Sequence, residues 1–228
     1  MAVLAHSVEL VCNEPGLDRS RLLKTIQAHP SFRGFRPKPE KPAVLVFHNL
    51  GFVSGVHAAL IALKSMLDLY SRLITRLLVP TSTLFGFNKT PFRGRKRPGG
   101  RLLNWIENSA PDSFDQGPVL VATLVEHLDL WLEEAVDQRD AIIHDGGIPG
   151  LVEAMVPLVG HPNELDEAAI LLPTMPGGEA VTDYCQRLVH NARILISQTL
   201  PLLPEVDLSL LKLYEGAVLR GRMNDASV

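Results

Sequence analysis

The stretch from Pro118 to His144 limits what this chain can fold into more than any other part of it. Val121, Leu124, Val125, Leu128, Leu132, Ala135, Val136 and Ile143 recur at three- and four-residue steps, the spacing that puts apolar side chains on one side of an α-helix. Glu126, Asp129, Glu133, Asp137 and Asp140 fall between them as a continuous acidic face. Pro118 suits a first helical turn, where its missing N–H has no helical partner to lose. Gly146-Gly147 ends the pattern with residues that tolerate the left-handed backbone of a helix terminus. A long helix with one apolar stripe gains its stability by burying that stripe, so other helices must meet it.

Two further stretches supply them. From about Leu45 to Leu78, Val56, Leu60, Leu63, Leu67, Tyr70, Ile74 and Leu77 alternate by fours and threes, the seam of a long bundle helix. From about Glu179 to Leu200, Val181, Tyr184, Cys185, Leu188, Ala192, Leu195 and Thr199 face inward, while Asp183, Arg187, His190 and Arg193 face out. Shorter helices are expected over Leu17–Ala28, capped by Asp18 or Ser20, and over Leu102–Asn108. Leu151 to Val159 and Ala168 to Pro173 are short apolar runs that read as a hairpin or packed arm. The expected fold is therefore mainly all-α. Residues 1–43 form an N-terminal arm with a short helix, and 44–228 form a bundle of three or four long helices. The bundle carries a basic loop at 80–101 and a small insert at 148–178, read as a β-hairpin, before the last helix.

A net charge of -3 excludes a polycation that coats nucleic acid indiscriminately, so any such affinity requires a local patch. Cys12 and Cys185, far apart and in no C-x-x-C pairing, argue against a disulfide framework or a thiolate zinc site. Met1 to Leu10 has neither the basic start nor the long apolar run of a signal peptide, and the expectation is a cytoplasmic protein. Ala43 to Leu63 carries no Asp, Glu, Lys or Arg and is long enough to span a bilayer. Its His48, Asn49, Ser54, His57 and glycines make it poor for lipid, so it reads as a buried helix and not as a membrane span.

Chemistry concentrates at the end of the 118–144 helix. Arg139 is permanently cationic, and a histidine such as His144 belongs to the residue type that titrates near neutrality. An arginine can hold a phosphate and stabilise charge developing on it; a histidine can take a proton from a ribose 2′-OH or give one to the leaving 5′-oxygen. Together they suffice for RNA cleavage without a metal. The same residues also suit a plain helix terminus, where a cation meets the dipole and Arg139 pairs with Glu134 or Asp140.

The run Arg139-Asp140-Ala141-Ile142-Ile143-His144, followed by the helix break at Asp145-Gly146-Gly147, resembles the HEPN superfamily of helical nucleotide-binding and ribonuclease bundles. That family carries an Arg, a polar residue and then a His at the C-terminal end of a bundle helix. The long upstream helix, with Lys64-Ser65-Met66-Leu67-Asp68 at its middle, is similar to the family's second helix. The resemblance covers about Val44 to Leu78, Pro118 to Gly147 and Glu179 to Leu200. It implies catalytic roles for Arg139 and His144, with Asp140 beside them and Asp68, or Lys64 as second choice, facing the pair. It further implies a homodimer in which two Arg–His pairs line one cleft, an RNA substrate and no cofactor. The family also contains toxins with antitoxin partners and members that bind ligands without cutting, and the alternative reading is a non-catalytic nucleotide- or protein-binding module, one half of a toxin–antitoxin or defence pair.

Five positions along a helix turn a side chain by about 140°, so Arg139 and His144 do not share a stripe. They converge better if the helix unwinds at its end or if two subunits pair their motifs across a two-fold axis. Lys89, Arg93, Arg95, Lys96, Arg97 and Arg101 form a second constellation, read either as an RNA-backbone site or as charges offsetting the acidic helix face. Phe85, Phe87 and Phe92 are placed to stack on bases or to pack that loop onto the bundle. Asp137, Asp140 and His144 share a helix face at metal-ligand spacing, but no Glu-x-x-His motif supports them and no metal is expected. His127 and His190 fall on polar faces, His161 in a turn, and His48 and His57 in the packed helix.

Overall fold

The computed structural model describes residues 1–13, 18–28, 43–47, 50–79, 85–111, 114–145, 154–158, 165–167 and 170–204. In chain order its elements are α1 (Ala2–Cys12), α2 (Arg19–Ala28), β1 (Ala43–Phe47), α3 (Leu50–Leu78), β2 (Lys89–Phe92), β3 (Arg95–Pro98) and α4 (Gly100–Ser109). There follow α5 (Gly117–His127), a π-helical turn at Leu128–Leu132, α6 (Glu133–Asp145), β4 (Ala154–Leu158) and α7 (Val181–Thr199). The chain is mainly helical, as its periodicity requires.

Helix α3 is the axis. Val56, Leu60, Leu63, Leu67, Tyr70 and Ile74 are buried along one stripe, onto which α1, α6 and α7 pack. The inward set expected for α7, from Val181 to Thr199, is buried throughout. The Tyr70 hydroxyl and Thr199 Oγ1 share a 2.5 Å hydrogen bond that ties the two helices inside the core. Burial pushes the Tyr70 phenol above its ordinary range, and the Thr199 bond partly opposes that rise. By length and composition alone, Phe52–Leu78 also passes as a membrane span, a test that the core helix of a soluble protein meets equally.

Several boundaries differ from those read in the sequence. The N-terminal region opens with α1, whose Leu4, Val8 and Val11 lie in the same core as α3. Asp18 does accept from the Arg21 N–H and so caps α2, at 3.2 Å. The uncharged run from Ala43 is not one helix. Ala43–Phe47, rich in β-branched and aromatic residues, forms strand β1, and α3 begins only at Leu50. Its partner is β4, antiparallel with Ala43 opposite Leu158 and Phe47 opposite Ala154. The apolar run at 151–159 therefore supplies one strand to a distant segment, not a local hairpin. Pro157 is tolerated because each strand of a two-stranded ribbon is an edge.

The basic segment is likewise no irregular loop. Residues 89–98 form a tight hairpin, with Phe92 opposite Arg95. Arg93 and Gly94 both take positive φ, 45° and 82°, the two-residue turn whose twist matches that of paired strands. Phe92 and Phe87 are buried and pack the hairpin into the core, and Asn104 Nδ2 donates to the Pro91 carbonyl at 2.6 Å.

At the end of the 117–145 helix Ile142 is enclosed and Ile143 is 53% exposed, the reverse of expectation. Ile142 continues the seven-residue step of the buried Leu128 and Ala135.

The hairpin enters α4 through Gly99 and Gly100. A Cβ on Gly100 would fall on the Thr90 carbonyl oxygen, which is backbone and cannot step aside. Gly100→Ala is therefore expected to lower stability by roughly 1–3 kcal/mol, read as a reduced midpoint in urea unfolding.

Candidate functional site

The acidic face of the 117–145 helix and the cations of the hairpin meet. Lys89 pairs with Asp137, Arg95 with Glu133 at 2.9 Å, and Arg97 with both Asp129 and Glu133. Arg93 reaches Glu107 on α4 at 2.5 Å. Arg97 is the anchor: its side chain is only 6% exposed, and its buried Nε has no partner among the described residues. Four of the six sequence-identified cations are thus engaged with carboxylates. Lys96 and Arg101 are exposed, and make no ion pair among the described residues. Most of the segment's charge therefore offsets the acidic face, and two of its cations remain open to solvent.

That clasp runs straight up to the motif. Asp129, Glu133 and Asp137 climb the helix in four-residue steps, and Arg139, Asp140 and His144 follow. Arg139 is part-buried and donates from Nη1 to Asp140 Oδ1 at 2.9 Å. Its Nε is enclosed without a hydrogen-bond partner among the described residues. Beside it, Gln138 donates to Glu134 at 3.1 Å, so Glu134 serves Gln138 and Arg139 takes Asp140. His144 is exposed, and no hydrogen bond joins it to Arg139 among the described residues. The helix runs unbroken through Asp145, which leaves the two side chains about 140° apart around its axis. Of the two routes to convergence, unwinding before His144 is not taken.

Asp68 and Lys64 sit elsewhere in the polar economy. Lys64, almost wholly buried, donates to both Asp68 oxygens at 2.7 and 2.9 Å and to Asn88 Oδ1 at 3.3 Å. Asp68 Oδ1 also accepts the Phe87 N–H at 2.5 Å. The pair holds the 86–88 segment that leads into the hairpin, and no bond connects Asp68 to Arg139 among the described residues. Asp137 and Asp140 are likewise engaged, with Lys89 and Arg139. No group of three or more His, Cys, Asp or Glu side chains among the described residues is placed to hold a metal ion.

Sequence reading missed an internal polar chain at the π-helical turn. His127 is buried, not on a polar face. Trp131 Nε1–H donates to its Nδ1 at 2.8 Å, and its Nε2 meets Gln198 Oε1 at 2.7 Å. Because an indole N–H only donates, Nδ1 is the acceptor and the proton lies on Nε2. The Trp–His spacing of four residues was the available signal. A cleft of about 280 Å³ borders this chain, with Arg187 and Asn191 on its far wall. Arg187 is held by Glu179 at 2.6 and 3.0 Å, the main reason its pKa rises. A larger apolar groove of about 680 Å³ lies between α1 and α3, with Val3, Ile61, Leu69 and Leu73 exposed along it. His57 loses basicity by burial, and His48 and His161 lie outside the described residues.

Burial separates the clasp's members energetically. Arg97→Ala opens a buried gap and takes from Asp129 its partner, while Glu133 keeps Arg95, and is expected to cost roughly 1–3 kcal/mol. Arg95→Ala removes a largely exposed pair and should cost about 0–1 kcal/mol, with the difference between them read from chemical unfolding at one salt concentration. Comparison with protein-family models, with curated proteins and with solved structures finds no match to this chain.

Proposed function

We propose that this chain is a HEPN-like, RNA-binding helical protein that cuts RNA without a metal, through attack of a 2′-hydroxyl on the neighbouring phosphate. The observation that carries the reading is the end of α6, where a part-exposed guanidinium is steadied by Asp140 and a solvent-open imidazole stands one turn further on. Arg139 uses one donor on Asp140 and has others for a phosphate oxygen. His144, with no intramolecular partner to give up among the described residues, accepts the 2′-OH proton or protonates the 5′-oxygen. Asp140 positions Arg139.

The unbroken helix makes one motif incomplete, which favours two copies contributing Arg139 and His144 to one cleft. The apolar side chains left open on α1 and α3 are the surface a second copy would cover. The same surface favours the other reading, a non-catalytic module that binds a protein partner such as an antitoxin. Light scattering at micromolar concentration should find a dimer; a monomer throughout would count against the paired site.

Arg139→Ala and His144→Ala are each expected to lower cleavage of total RNA in EDTA by roughly a hundredfold or more. Helical content should be retained, since both residues end a helix and His144 is exposed. Activity equal to the parent in His144→Ala would remove the catalytic assignment. Loss of melting temperature with no cleavage in the parent would favour the binding module. Lys96→Ala with Arg101→Ala should weaken RNA binding and flatten its salt dependence, because fewer counterions are released, without loosening the clasp.

A further inference from the structure

Cys12 and Cys185 are the only cysteines in the chain, lie near its opposite ends, and take no part in the site above. Folding brings the helices that carry them together. Cys12 is the last residue of α1, Cys185 lies in the second turn of α7, and these helices pack on one another. Gln186, the residue after Cys185, reaches across to donate from Nε2 to Cys12 Sγ at 3.7 Å. Cys12 is half-buried against the core in which Cys185 is wholly enclosed, and both are free thiols. Burial pushes the Cys185 thiol up to about 12, and the nearby Cys12 sulfur adds to that rise, so each thiol lies within the other's electrostatic reach.

We propose that Cys12 and Cys185 are an oxidative modification site, closing to an intramolecular disulfide when the protein meets hydrogen peroxide. The half-exposed Cys12 is the sulfur that peroxide reaches, and the enclosed Cys185 is its resolving partner. In the first step Cys12 Sγ attacks one peroxide oxygen and the O–O bond breaks. Cys12 is oxidised to the sulfenic acid, and the departing hydroxide takes the thiol proton to become water. In the second step Cys185 Sγ attacks the Cys12 sulfur, the S–S bond forms, the S–O bond breaks, and a second water leaves with the Cys185 proton. Two thiols and one peroxide give one disulfide and two waters. The high pKa of Cys185 keeps it largely as the thiol and slows the second step, so the Cys12 sulfenic acid persists long enough to be trapped. The bridge would fasten α1 to α7 across nearly the whole chain, a long closed loop of the kind that restrains an unfolded ensemble most.

The test treats the full chain with hydrogen peroxide, unfolds it in guanidinium with iodoacetamide, and reads intact mass and linked peptides. The expected result is a protein two hydrogens lighter than the reduced form, with neither cysteine alkylated, a Cys12–Cys185 peptide and a raised Tm that dithiothreitol reverses. Cys185→Ala and Cys185→Ser should instead stop at an oxidised Cys12 that dimedone labels more heavily than in the parent. The proposal is overturned if the parent keeps two alkylatable thiols, if it forms only bridges between chains, or if its Cys12 passes to sulfinic acid as readily as in the Cys185 variants.

Discussion

Burying the stripe of α3 from Val56 to Ile74 requires α1, α6 and α7 to lie on it at once, and the helical core is built around that demand. The stripe presents mainly aliphatic groups, so packing, not hydrogen bonding, orders the helices around it. Two of the polar contacts inside that packing tie distant segments together. Tyr70 meets Thr199, and Lys64 meets Asp68, which in turn catches the Phe87 N–H. An unpaired Lys64 at that depth would be untenable, so the apolar axis itself dictates where the chain returns after α3.

That return sets up the electrostatics. The hairpin emerges beside the acidic face of the 117–145 helix and lays Lys89, Arg95 and Arg97 across Asp137, Glu133 and Asp129. A bare ladder of carboxylates leading to Arg139 would repel a polyanion, and the clasp neutralises it. The helix therefore reaches its C-terminal end with Arg139 and His144 next to a compensated surface, and with Lys96 and Arg101 still facing solvent.

Much of the helical core was legible from residue spacing. The inward set of α7 and the stripe of α3 follow from 3.6-residue periodicity, because a buried helix face leaves no other mark on a sequence. Strand β1 was not legible: its partner β4 lies over a hundred residues away, and a short apolar run adjoining a helical one shows no boundary of its own. The hairpin was hidden because its turn uses Arg93-Gly94, where Asn-Gly or Asp-Gly is the usual signal. In the last turn Ile142, seven residues after Ala135, and Ile143, seven after Val136, both fit the spacing, so periodicity alone did not choose between them. At the site, the position of Arg139 and His144 at a helix end was readable, and Asp140 was rightly named as a partner for Arg139. The Lys64–Asp68 pair is a local i, i+4 contact, but the Phe87 N–H that Asp68 also accepts comes from another segment, which no local pattern encodes.

The central claim is a reaction that uses a 2′-hydroxyl and no metal, and the ends of the products report it directly. A synthetic RNA incubated with the protein in EDTA should yield a 2′,3′-cyclic phosphate on one fragment and a 5′-hydroxyl on the other, since the attacking oxygen belongs to the cleaved strand. Fragments bearing 5′-phosphates and 3′-hydroxyls, or RNA left intact until a divalent cation is supplied, would contradict it.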